Sequence, residues 1–232
     1  MKLRLIVPGL LALVVLLSAC VPIPNLRNPK FLKDDSLIAS EPPCAAPCWR
    51  GITPGETAWS DALIILEDAT DFENPEVQTT DNGPQVGAQW KPIDGESCCQ
   101  IYSEDGKTVS LILLQLAPDM TLRQVIDARG EPQYAIGTPG NDDQAIVSLF
   151  YPDSSLIVVA FVAGAAKGEL SESSEVIGAY YLTADRMDVI LKTSSLYGWK
   201  GYQPFSAYAS DAENADFAIT PSVTLTPTEA PQ

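Results

Sequence analysis

The chain has 232 residues, with 14 Lys+Arg against 30 Asp+Glu, a formal net charge of −16 and no histidine. So acidic a chain lacks the basic footprint that nucleic acid requires and is ill suited to lying flat on anionic lipid. The missing imidazole excludes Ser-His-Asp and Cys-His catalysis, His-ligated zinc and H-E-x-x-H proteases.

At the N-terminus, Lys2 and Arg4 precede an apolar run over residues 5–17, interrupted only by Pro8-Gly9. A run of this length suits the apolar core of a signal peptide and is too short to span a bilayer as a helix. Leu17-Ser18-Ala19-Cys20 follows. This tetrad resembles the lipobox of bacterial lipoproteins, in which a diacylglyceryl group is attached to the cysteine sulfur and a dedicated peptidase then cuts before that cysteine. The resemblance implies a signal peptide over 1–19, lipidation of Cys20 and an extracytoplasmic domain tied to the lipid bilayer. Two or three acyl chains anchor durably where one binds only marginally. Val21 is not the aspartate that retains some lipoproteins at the inner membrane, so a two-membrane cell would carry the protein in its outer membrane. Removing residues 1–19 takes away Lys2 and Arg4 and moves the net charge from −16 to −18.

Residues 21–43 contain Pro22, Pro24, Pro29, Pro42 and Pro43 and read as a tether behind the lipidated cysteine, so that 20–43 forms one stiffened segment of about 70 Å at full extension. The globular part is expected over 44–208, divisible into 44–116 and 117–208. Residues 209–232 are rich in Thr, Pro and acids, and read as a disordered tail.

Cys44, Cys48, Cys98 and Cys99 remain after lipidation, an even number that reads as disulfides in an exported chain. A bridge between adjacent cysteines closes a strained ring, so the expectation is a 44/48 pair bridged to a 98/99 pair. Each such bridge would close about fifty residues and stabilise by roughly 3–4 kcal/mol. C-x3-C with adjacent cysteines matches zinc spacing poorly.

Thr57 and Thr121 suit helix N-caps, predicting one helix over 58–68, with Ala62, Leu63, Ile65 and Leu66 buried, and another over 122–129, with Leu122, Val125 and Ile126 buried. Gly130 and Pro132 end the second. Strands are predicted over 85–90, 98–103 and 107–116, the last two flanking the Asp105-Gly106 turn. Further strands are predicted over 145–151, 155–162, 175–182 and 188–192. The fold class is α+β: two short helices, each followed by antiparallel strands, in a disulfide-braced domain with a possible tandem repeat.

Gly51-Ile52-Thr53 before the first helix and Gly130-Glu131-Pro132 after the second carry a resemblance to two families over about forty residues. One is the tandem helix-plus-sheet repeat of β-lactamase inhibitor proteins; the other is the small α+β lipoprotein of outer-membrane assembly machinery. The first helix lacks the closing Gly-x-Pro and the second lacks the opening Gly. The resemblance implies a binding or scaffold role and carries over no site residue. The segment over 44–57 is also similar to one that recurs in exported lipoproteins.

Candidate sites are few. Trp49 and Trp59 read as core. Tyr197, Trp199 and Tyr202, set among glycines, have the chemistry to stack on a sugar or peptide, or else to close the end of the sheet. The acidic cluster Asp68, Asp71, Glu73 and Glu76 lacks the order of a calcium loop. The glycine-rich loop over 137–143 lacks both phosphate-binding patterns. No metal site, cofactor or catalytic residue follows from the spacing. The expected function is therefore a membrane-anchored binding or interaction module whose partner is a protein or a cell-wall component. The alternative is a carboxylate-dependent, glycosidase-like hydrolase acting on cell-surface material, which needs an acid/base pair about 5–10 Å apart in a cleft.

Overall fold

The computed structural model describes residues 25–39, 44–80, 83–209 and 218–219. Cys20, the signal peptide expected over 1–19 and nearly all of the tail expected over 209–232 lie outside them. In chain order the elements are α1 (Trp59–Glu67), β1 (Glu76–Thr79), β2 (Val86–Trp90), β3 (Cys99–Ser103), β4 (Leu111–Thr121), α2 (Leu122–Arg129), β5 (Tyr134–Pro139), β6 (Ala145–Tyr151), β7 (Leu156–Val162), β8 (Glu175–Leu182), α3 (Ala184–Thr193), β9 (Leu196–Gly198) and the two-residue β10 (Ala218–Ile219). All strands join one antiparallel sheet in the order β1-β2-β3-β4-β8-β7-β6-β5-β9-β10.

Alternation along the strands sorts the side chains into two faces. On the inner face one row runs across the sheet from β2 to β9: Trp90, Cys99, Leu114, Ala179, Val158, Leu149, Ala135 and Tyr197 are successive cross-strand partners. All are buried and pack with Ala62 and Leu66 of α1 and Leu122 and Val125 of α2. On the outer face, Phe150, Ile157 and Leu182 are buried under Met187 of α3. Helices therefore cover both faces of β4–β8, while β1–β3 keep an open outer face.

The helix predicted over 122–129 is present with its capping box: the Gln124 amide donates to the Thr121 hydroxyl, and the Thr121 amide donates to Gln124 Oε1 at 2.8 Å. Gly130 ends it at φ +82°, a conformation glycine adopts without penalty. The first helix is capped differently. Ala58 holds the N-cap position without a side-chain bond, and the Thr57 hydroxyl instead accepts from the Thr53 amide at 2.8 Å. Among the described residues there are three α-helices, not two. Residues 188–192, predicted as a strand, lie within α3, where Thr183 caps the N-terminus by accepting from the Arg186 amide. Met187, Ile190 and Leu191 share one face at helical spacing, and burying that stripe on the sheet outweighs the β-propensity of Val189-Ile190.

The N-terminal boundary also differs from expectation. Part of the expected tether, residues 25–39, packs on the domain. Leu32 and Leu37 are buried. The ladder of β4 breaks between Gln115 and Met120, and the backbone freed there pairs with the incoming segment: the Leu32 amide donates to Gln115 O at 3.2 Å and the Ala117 amide to Leu32 O at 2.8 Å. Arg129 donates to the carbonyls of Leu37 (2.7 Å) and Ser36 (2.6 Å), fixing the segment to the end of α2. The Tyr181 hydroxyl meets Ser36 Oγ at 3.2 Å, and burial pushes its pKa up to about 12.

The cysteine pairs form locally, which corrects the expected cross-link. Cys44 bridges Cys48 and Cys98 bridges Cys99, with Cα separations of 5.3 and 3.7 Å. A strand over 98–103, as predicted, would turn the two side chains to opposite faces, but β3 begins at Cys99; Cys98 precedes it, so strand alternation does not force them apart. The Cys44–Cys48 loop contributes about 2 kcal/mol on the chain-entropy model, well below the value for a fifty-residue loop. Trypsin cleavage at Arg50 separates the two pairs, and non-reducing peptide mapping is expected to find no cross-link between the resulting peptides. A disulfide joining residue 44 or 48 to residue 98 or 99 would refute this pairing.

Arg50 grips Asp71 through two bonds (3.0 and 2.8 Å), and this contact holds the Asp71 carboxyl below the usual carboxylate range. A lowered folded-state pKa adds stability above the unfolded pKa that is lost as pH falls through the folded value. The pair is solvent-exposed, so Asp71→Asn is expected to cost only about 0.5 kcal/mol at neutral pH. In urea titrations the gap to wild type should close under acid; a gap that persists there would assign the effect to packing.

Candidate functional site

Among the described residues, the outer face of β1–β3 is uncovered and carries a groove. Cross-strand register sets its floor: Gln78 faces Gly87, which faces Tyr102, and Glu76 faces Gln89, which faces Gln100. Gln78, Gly87, Gln89, Gln100 and Tyr102 line a groove of about 280 Å³. A Cβ added at Gly87 meets nothing nearer than Ile101 O at 3.7 Å, so this hollow beside Tyr102 is room a side chain would fill. The Arg186 guanidinium lies 5.9 Å from the centre of the Tyr102 ring and pairs with Glu104, bounding the groove on the α3 side. Past Gln89 the hollow continues into a second one of about 410 Å³ that includes Glu73, Glu76, Lys91 and Glu96. Lys91 pairs with Glu73 at 3.0 Å, and Gln89 Nε2 donates to Glu76 at 3.3 Å. The groove is thus neutral and amide-lined at one end, and carboxylate-rich at the other.

The sequence-predicted aromatics lie elsewhere. Tyr197 is the buried end of the inner-face row. Trp199 stacks on Tyr208 (centroids 5.7 Å apart, planes at 8°) and meets Tyr202 edge-on at 6.1 Å. The Tyr208 hydroxyl donates to Gly201 O at 2.7 Å and accepts from the Lys200 amide at 3.1 Å, knitting the 197–202 turn onto the core. The indole nitrogen of Trp199 is buried, so it is not presented to a ligand. These residues are brought together, but as packing at one end of the sheet; Trp199 and Tyr202 keep only partial exposure.

Trp49 is fully buried against Trp90 (5.8 Å) and Phe72 (6.2 Å). Trp90 in turn is the cross-strand partner of Cys99. Trp59 opens α1, its amide donating to Lys107 O at 2.7 Å. The acidic cluster is dispersed, with Asp71 taken by Arg50 and Glu73 by Lys91. Among the described residues, no group of three or more His, Cys, Asp or Glu is set to hold a metal ion, and no helix is long and apolar enough to cross a membrane.

Sequence reasoning missed the groove because β1 was not predicted. Glu76-Val77-Gln78-Thr79 is short, and every one of its residues is exposed. The one available signal was alternation in residues 86–90, where Ala88 and Trp90 face inward and Gly87 and Gln89 outward. No family model, no curated protein and no solved structure matches this chain.

Proposed function

We propose that this chain is a membrane-anchored extracytoplasmic lipoprotein whose domain binds an extended segment of a protein or cell-wall partner. The observation that carries this reading is the open groove along β1–β3 beside an edge strand. β1 ends the sheet order, so its outer backbone groups are available to an added strand. Gln78, Gln89 and Gln100 offer paired donors and acceptors above it, and Tyr102 offers an amphipathic ring. The carboxylates at the far end favour a ligand with a cationic group there.

Binding of peptide libraries and of purified cell-wall fragments to the lipidated chain tests the reading. Tyr102→Ala is expected to weaken the best ligand by about 5- to 30-fold, the range of a central aromatic contact. An unchanged affinity in Tyr102→Ala and in Gln100→Ala together would remove the groove from the function.

One observation favours the second reading, a carboxylate-dependent hydrolase: Glu73, Glu76 and Glu96 line the same hollow. Turnover of cell-surface glycan by the purified chain, abolished in Glu76→Gln, would establish it.

The order of elements also supports a tandem repeat. α1 precedes the meander β1–β4, α2 precedes the meander β5–β8, and β4 pairs with β8 where the two meet. On this reading α1 with β1–β4 and α2 with β5–β8 are the two units of the helix-plus-sheet repeat that Gly51-Ile52-Thr53 and Gly130-Glu131-Pro132 resemble, with α3 and β9 as additions.

A further inference from the structure

The short leash between the anchor and the fold has a consequence that rests on the reading of Cys20 as the lipidated residue. The chain is held from Asn25 onward. The Leu26 amide donates to Gln144 Oε1 at 3.1 Å. Arg27 forms a two-point ion pair with Glu175, and its guanidinium lies 5.1 Å from the centre of the Phe161 ring. Asn25 and Leu26 also border a small apolar hollow with Ile146, Val159 and Tyr180. Beyond them Leu32 joins the sheet at the break in β4, so the attachment does not rest on one contact.

Between Cys20 and Asn25 the covalent chain spans at most about 18 Å. The headgroup layer of one leaflet takes up roughly 5–7 Å of that, since the thioether carbons sit at the edge of the hydrocarbon. About 10 Å remains, less than the radius of gyration of roughly 15 Å expected for a domain of this size. A domain on so short a leash cannot swivel freely above the bilayer.

We infer that the domain rests against the lipid surface by one corner: residues 25–27, the loop over 140–144 and the loop over 163–168. The two loops touch, since a Cβ on Gly164 would meet Asp142 O at 2.6 Å. Exposed Asp142 and Asp143 stand there with exposed Lys167, a mixed-charge surface suited to zwitterionic headgroups. The contact is set by reach, not by net charge. In the sheet order β2 stands four strands from β7, about 19 Å at 4.8 Å per strand, so the amide-lined end of the groove lies away from this corner, while its carboxylate end, where Glu96 accepts from Asn28 Nδ2 at 2.6 Å, lies beside residues 28–30.

The test uses the full lipidated chain in phosphatidylcholine vesicles doped with a phospholipid that carries a photoreactive diazirine on its headgroup. After irradiation, peptide mapping is expected to place most adducts in 25–27, 139–146 and 161–168, and few in 76–89. Adducts spread evenly, or concentrated in 76–89, would overturn the orientation. In a variant with twenty Gly/Ser residues inserted between Pro24 and Asn25, which adds roughly 25 Å of mean reach, the bias should be lost. A bias that survives the insertion would overturn the argument from reach. The mass of the N-terminal peptide separates the two readings: without lipid on Cys20 no adducts form anywhere, and the anchoring reading falls together with this one.

Discussion

Trp49→Ala is expected to lower the unfolding free energy by about 3–5 kcal/mol, the range for deleting a buried aromatic ring. The residue has no exposed surface and stands where three parts of the chain converge. Phe72 and Trp90 pack on its ring, one after α1 and one on β2. Arg50 lies 5.4 Å from the ring centre and 3.7 Å from Asp34, whose side chain is nearly buried. The Trp49 indole donates to Asp34 Oδ2 at 3.1 Å, tying residues 25–39 to the core. Truncation removes the ring contacts and takes a partner from a buried carboxylate. Trp49→Phe keeps most of the packing and loses only that bond, so it should cost about 1.5–3 kcal/mol, the range for a hydrogen bond to a charged group. Urea unfolding at constant m-value separates the two. A loss under 1 kcal/mol in Trp49→Ala would mean that the aromatic cluster is not a core element.

Legibility in the sequence followed the locality of the signal. The helix over 122–129 was readable because its cap, its buried stripe and its closing glycine lie within ten residues. Strands β6, β7 and β8 were readable because they are covered on both faces and therefore run nearly unbroken in apolar residues. Three features were not readable. α3 was taken for a strand because Val189-Ile190-Leu191 is β-rich when read without the i, i+3, i+4 stripe around it. The packing of residues 25–39 depends on the break in β4, more than seventy residues away, and prolines alone suggested a tether. The disulfide pairing turned on where β3 begins: starting the strand one residue early puts Cys98 and Cys99 on opposite faces and forbids the bridge the structure contains. The aromatic residues over 197–202 stand close in sequence, but composition could not say whether they face a ligand or Tyr208. The groove itself is a property of cross-strand register, which brings together residues 78, 87 and 102, and its one local trace is the alternation over 86–90.

Cys20→Ser is expected to abolish lipid attachment, and with it stable membrane anchoring. The chemistry is specific to sulfur: a thiol reaches its nucleophilic thiolate near neutral pH, whereas a serine hydroxyl does not. Without the thioether, the lipoprotein peptidase has no modified substrate, so the variant should keep residues 1–19 and run larger than the mature protein. Each acyl methylene that enters the bilayer contributes about 0.8 kcal/mol, so losing two or three chains removes far more binding than the apolar run over 5–17 supplies in their place. In detergent phase separation, wild type should enter the detergent-rich phase with a lipid mass on Cys20. The variant should carry no such mass, and any fraction cut by a different peptidase should appear in the aqueous phase. The substitution should also leave the fold intact, since the core contacts described above are made among residues 32–209. A Cys20→Ser protein that unfolds would show that the anchor residue has a structural role. An unmodified Cys20 in membrane-extracted wild type, with residues 1–19 still attached, would overturn the anchoring itself.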